Sequence, residues 1–177
     1  DIMHTLCYGI IMRICSAILW RIVFQNSWGI TGSKLARMEG AVKRLRMQMF
    51  RWQVDEGVKP DERIGDLTIS GLGGEPDDGD FVDGVHAGGT MKFKAHETLG
   101  MCRFAVFIID QYRDIPDWAK LKGCGYRLLE WYDSLKQLPF NVPGVHLPKL
   151  HTLMYEALIL ADEARLHHVP KFHFAGH

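Results

Sequence analysis

Between Ser33 and Val54 the apolar residues Leu35, Met38, Val42, Leu45, Met49 and Trp52 advance by 3, 4, 3, 4 and 3 positions. That spacing lays them along one stripe of an α-helix, and Ser33 stands where an N-cap belongs. The other faces carry Lys34, Arg37, Lys43, Arg44, Arg46 and Arg51 against one acid, Glu39. A helix so divided needs an apolar partner for its stripe and negative charge near its cations. Packing against its own domain meets the first need. The alternatives are a membrane-surface helix, with Phe50 and Trp52 at the headgroup level, or a helix lying on RNA phosphates. Arg44, Arg46 and Arg51 are the candidate phosphate or lipid headgroup contacts.

Upstream, the run from Leu6 to Phe24 is rich in Ile, Leu, Val and Phe and holds no acid. Its length is that of a membrane span, but two arginines interrupt it. Arg13 near the centre costs roughly 2.5 to 3.5 kcal/mol, which cancels most of the gain from the strongly apolar side chains; Arg21 can snorkel. Gly9, Arg13, Ala17 and Arg21 recur every four residues, a stripe of small and basic groups suited to contact with a partner or membrane protein. A buried core helix and a retained targeting sequence are the competing readings. Gly29 and Gly32 then mark the stop before Ser33.

From Asp55 to Thr90 the periodicity fades. Nine of the eighteen glycines and ten of the twenty-one acids fall here, a composition that predicts exposed loop with at most a small hairpin from Ile64, Leu67 and Ile69 against Phe81, Val82 and Val85. The run from Asp77 to Gly84 lacks the ligand order of an EF-hand, and the glycines from Gly71 lack the pattern of a phosphate-binding loop.

Helical periodicity returns for the rest. One helix is expected from about His96 to Tyr112, apolar on most sides between Phe104 and Ile109. A second is capped by Asp117 and runs to about Leu138, with Gly123 and Gly125 marking a close crossing or a break. Three prolines between Pro139 and Pro148 make an extended linker, and a third helix runs from Lys149 to about His168. The expected fold is mainly α, divided as an apolar N-terminal helix (1–32), a basic amphipathic helix (33–54), an acidic glycine-rich segment (55–90) and a three-helix body with a histidine-rich tail (91–177).

Charge sharpens this division. The formal net charge is zero, yet residues 1–54 hold eight bases and two acids (+6), residues 55–90 two bases and ten acids (−8), and residues 91–177 eleven bases and nine acids (+2). Such segregation points to pairing of the acidic middle with the basic helix or with a partner; nucleic-acid proteins more often keep a net positive charge. Cys7, Cys15, Cys102 and Cys124 form neither a zinc-ribbon spacing nor a disulfide scaffold. A reducing compartment fits them, with a Cys7–Cys15 bridge as the alternative.

Candidate chemistry is sparse. Six of the nine histidines lie in the last 32 residues, and His167, His168, His173 and His177 are the candidate metal ligands, with Asp162 or Glu163 able to complete a zinc or iron site. No H-E-x-x-H or G-x-S-x-G is present, so no catalytic residue is assigned and no cofactor is predicted beyond that zinc or iron. The reading is a non-catalytic accessory or structural subunit of a larger membrane-associated complex, with other protein subunits and membrane lipid as partners. An organelle membrane, the mitochondrial inner membrane above all, suits the acid-poor N-terminal region; a cytoplasmic location is the alternative. The rival functions are a soluble metal-dependent enzyme using the C-terminal histidines and a nucleic-acid-binding structural protein using the basic helix.

Overall fold

A computed structural model describes residues 11–60, 63–74, 91, 93–138 and 144–166. The protein is mainly α: among these residues are five α-helices and no strand. We number them α1 (Met12–Gln25), α2 (Lys34–Asp55), α3 (Ala95–Ile109), α4 (Trp118–Lys136) and α5 (Leu147–Glu163), the last preceded by a 3-10 turn at Gly144–His146.

The centre is α1. Ile14, Cys15, Ile18, Leu19, Trp20 and Ile22 are fully enclosed, and the helix packs on α2, α3 and α4. An apolar run looks alike whether lipid or protein surrounds it, and here the described part, from Ile11 onward, is surrounded by its own chain. No helix among the described residues is long and apolar enough to cross a membrane. The helix stops at Asn26, which adopts the left-handed conformation (φ 51°). Its side chain then brackets Ile30, donating to the Ile30 carbonyl (3.1 Å) and accepting from the Ile30 N–H (3.0 Å). Asn tolerates that backbone better than most residues.

Ser33 caps α2 as its position predicts, its hydroxyl accepting from the Ala36 N–H at 3.2 Å. Met38, Val42, Leu45, Met49 and Trp52, five of the six stripe residues, are buried, and Leu35 is partly buried against the same core. Trp52 is therefore core, against Phe104 and Phe107 at ring distances of 5.6 and 6.3 Å, and does not sit at a headgroup level.

The described half of the glycine-rich segment is loop, as expected, and most of it is exposed, but it carries an inward-facing set of apolar residues. Residues 63–74 are irregular, yet Ile64, Leu67, Ile69 and Leu72 are buried. Side chains replace the missing ladder. Gln53, itself buried, donates to the Ile64 carbonyl (3.3 Å) and accepts from its N–H (2.9 Å), while the Trp20 indole donates to the Leu72 carbonyl (3.2 Å). At Gly74 a β-carbon would come within 2.5 Å of the Trp20 ring, so only glycine lets the backbone pass. The expected partners Phe81, Val82 and Val85 lie outside the described residues.

In the body, α4 is unbroken, and its glycines mark a crossing: a β-carbon on Gly125 would lie 2.5 Å from Val106 of α3, and one on Gly123 3.0 Å from Leu160 of α5. Asp117 precedes α4 in left-handed backbone (φ 55°) without making the expected side-chain cap; its carboxylate is engaged elsewhere. Helix α3 ends at Ile109, three residues early, where the Trp118 indole takes the Ile109 carbonyl at 2.8 Å. Helix α5 ends at Glu163, short of the expected His168. Arg165 turns left-handed (φ 57°) and returns the buried Leu166, whose N–H donates to the Ala161 carbonyl at 3.0 Å, a Schellman-type stop.

Candidate functional site

Of the small-and-basic stripe expected to meet a partner or membrane protein, the described members turn inward to different degrees. Ala17 and Arg21 are buried, and Arg13 is half-buried; Gly9 lies outside the described residues. The Arg21 guanidinium donates through Nη1 to the Pro116 carbonyl (2.8 Å) and to the Asp117 carboxylate (3.1 Å), and through Nη2 to the Ala164 carbonyl (2.9 Å). It ties α1 to the start of α4 and the end of α5. An arginine on a helix this apolar needs acceptors that lipid does not offer; its own chain supplies them.

The basic helix divides its cations between two surroundings. Arg46 turns toward the acidic segment and pairs with Asp66 at 3.2 Å. Beside it an open groove of about 390 Å³ runs between Glu39, Lys43 and Arg46 of α2 and Thr68 to Ser70. Arg44 and Arg51 face outward, Arg51 beside Asp55 at 3.5 Å with both side chains well exposed. Arg37 and Lys43 are exposed as well.

Between these cations the structure displays a feature that the inner stripe obscures. Met47, Phe50 and Val54 are 56, 42 and 64 % exposed. Spaced by three and four residues, they form a second apolar stripe on the side of α2 opposite the core. Arg37, Arg44 and Arg51 recur at seven-residue intervals along one flank, and Lys43 extends the stripe itself by one turn toward the N-terminus. The signal was present in the sequence, because the same 3-and-4 spacing links 47, 50 and 54; the stronger inner stripe accounts for only one of the two faces. Around the end of α2, Trp52, Arg103, Phe107, Tyr126 and Leu129 line a second open groove of about 430 Å³, with Phe107 and Tyr126 exposed.

The other candidate chemistry is distributed without convergence. Cys15, Cys102 and Cys124 are free and buried; Cys7, the other half of the alternative bridge, lies outside the described residues. Burial, reinforced by a hydrogen bond with Cys102, pushes the Cys15 thiol well up; burial does the same for Cys124, whose Sγ donates to the Ala157 carbonyl at 3.1 Å. Thiols held neutral in this way are poor nucleophiles. No group of three or more His, Cys, Asp or Glu among the described residues is placed to hold a metal ion, and the candidate ligands His167, His168, His173 and His177 lie outside those residues. Comparison with known family models, curated proteins and solved structures finds no match to this chain.

Proposed function

We propose that this protein is an accessory, non-catalytic subunit of a membrane-associated assembly, held in place by the outer face of α2. The observation behind this reading is the pairing of a finished core with an unused amphipathic face. The apolar helix α1, on which attachment to a neighbour was expected to rest, is committed to the chain's own interior, whereas Met47, Phe50 and Val54 stay in water amid Arg37, Lys43, Arg44 and Arg51. Exposed apolar side chains in a row, rimmed by charge, are the usual mark of an interaction surface. The mitochondrial inner membrane is the setting we propose, on the acid-poor character of the N-terminal region.

The test is native gel electrophoresis of gently solubilised membranes from the source organism, with this chain followed by mass spectrometry. Migration in a band much larger than 20.2 kDa, shared with other subunits in constant ratio, is the expected outcome. Migration as a single chain, or recovery wholly apart from membranes, overturns the reading.

A further inference from the structure

We infer that the outer face of α2 lies along the surface of an anionic phospholipid bilayer. This rests on the reading of the protein as membrane-associated and names the lipid itself as the occupant of that face. The stretch from Arg37 to Val54 spans about 27 Å at the helical rise and offers a continuous contact along one helix. Met47, Phe50 and Val54 occupy its midline, more than two-fifths exposed each. Arg37, Arg44 and Arg51 follow one edge at heptad spacing, and Lys43 continues the midline toward the N-terminus. An interfacial helix has this composition: apolar side chains enter the boundary between headgroups and acyl chains while the cations remain with the phosphates.

Charge complementarity selects among occupants. A second copy packed antiparallel through the same face would set the arginine rows of both copies against each other, and a parallel one would set Lys43 against Lys43 on the midline; both are repulsive. A nucleic-acid backbone would engage the cations and leave three exposed apolar side chains without a role. Anionic lipid satisfies both kinds of group at once. Arg37, Lys43 and Arg44 make no ion pair among the described residues, whereas Arg46, on the opposite edge, is already paired with Asp66. The acids near the face stand at its margins: Glu39 on the edge that Arg46 shares, and Asp55 at the C-terminal end of the arginine edge, where it pairs with Arg51 at 3.5 Å and leaves Arg37 and Arg44 open. The arginine-bearing edge is therefore the one that meets the phosphates.

Flotation of the full chain with vesicles tests this. Vesicles of phosphatidylcholine alone are compared with vesicles carrying about one-third phosphatidylserine or cardiolipin, at low and high salt. Binding is expected to the anionic vesicles only, and to weaken with salt. Replacing Arg37, Arg44 and Arg51 together by Gln should lower affinity by roughly fivefold per cation. Replacing Met47, Phe50 and Val54 by Ser should lower it about tenfold with the charge unchanged. These side chains are exposed, and circular dichroism of each variant verifies that the fold persists. Absence of binding to anionic vesicles overturns the proposal. So does binding that survives the Ser replacements, since phosphate contact alone would then suffice and a nucleic acid would be the better occupant. If the chain comigrates with a large complex yet ignores vesicles, the lipid contact fails and the accessory-subunit reading stands. Vesicle binding by a chain that joins no complex supports the lipid contact and removes the subunit reading.

Discussion

The Asp117 carboxylate lies 3.1 Å from Nη1 of Arg21, ninety-six residues away, and does so from a left-handed backbone that an aspartate adopts only at a cost. The side chain forgoes capping α4 in order to meet the guanidinium. Arg21 is nearly enclosed and Asp117 about a quarter exposed, so the pair is partly screened and its net value is modest. Removing the arginine is another matter, because three acceptors lose their donor.

Arg21→Ala should therefore destabilise the fold by about 3 kcal/mol, read from the urea unfolding midpoint. Asp117→Asn keeps a residue that tolerates positive φ and should cost only about 1 kcal/mol. Asp117→Ala adds backbone strain of roughly 1 kcal/mol to that loss. If Asn and Ala prove equally harmless, the pairing contributes nothing and α1 is held by apolar contact alone.

Gly125→Ala decides between local propensity and packing. Alanine in mid-helix is intrinsically favoured by about 1 kcal/mol, but its methyl would meet Val106 at 2.5 Å. Overpacking of this kind typically costs about 1–3 kcal/mol, so the variant should be less stable, and adding Val106→Ala should restore it. A thermal midpoint that rises with Gly125→Ala would show that α3 and α4 are not so close.

The Gln53 clamp predicts a local effect. With Gln53→Ala the Ile64 N–H and carbonyl lose their partner inside the core, a penalty of about 1–3 kcal/mol for each buried group, and residues 63–74 should detach before the helices do. Arg63, already exposed, then becomes an earlier trypsin site. Cleavage there at an unchanged rate would mean that Trp20 and the buried Ile64, Leu67 and Leu72 hold the segment without it.

Alkaline pH should weaken the fold. Burial raises the pKa of Cys15, Cys124 and Tyr112, the last despite hydrogen bonding to Gln48 that works the other way. Each group keeps its proton more firmly folded than unfolded. Their stabilising contribution is thus intact below the unfolded values, about 8.5 for thiols and 10 for tyrosine, and is lost as pH rises beyond them. Urea midpoints should be lower at pH 10 than at pH 7. In a Cys7→Ser background, a thiol reagent at pH 8 should label none of the other three cysteines until denaturant is added.

How far the sequence carries the structure depends on the range of the forces involved. The inner stripe of α2 and the Ser33 cap follow from spacing within one helix, and the structure reproduces them. The surroundings of α1 do not, because Ile14, Ile18 and Ile22 would be equally content in lipid; what distinguishes the cases is the set of carbonyls around Arg21, contributed by residues 116 and 164. Likewise the low apolar content of 63–74 announced a loop, while its burial depends on two distant side chains, Gln53 and Trp20. Helix ends slipped where a tertiary contact took over, as when Trp118 claimed the Ile109 carbonyl. The outer stripe of α2 was legible in principle, since 47, 50 and 54 obey the same period as the residues facing the core. Of the other candidates, His167, His168, His173 and His177 lie outside the described residues.

The reach of Arg21 also sets a timetable for biosynthesis. Its bond to the Ala164 carbonyl spans 143 residues, and at roughly 5–20 residues per second a translating ribosome needs about 7–30 s to make that length. During this interval the partners of α1 arrive one after another, α2 first and then α3 and α4, and its isoleucines and Trp20 wait for most of them. A helix that ends buried on nearly every side thus spends the early part of synthesis with its apolar surface uncovered.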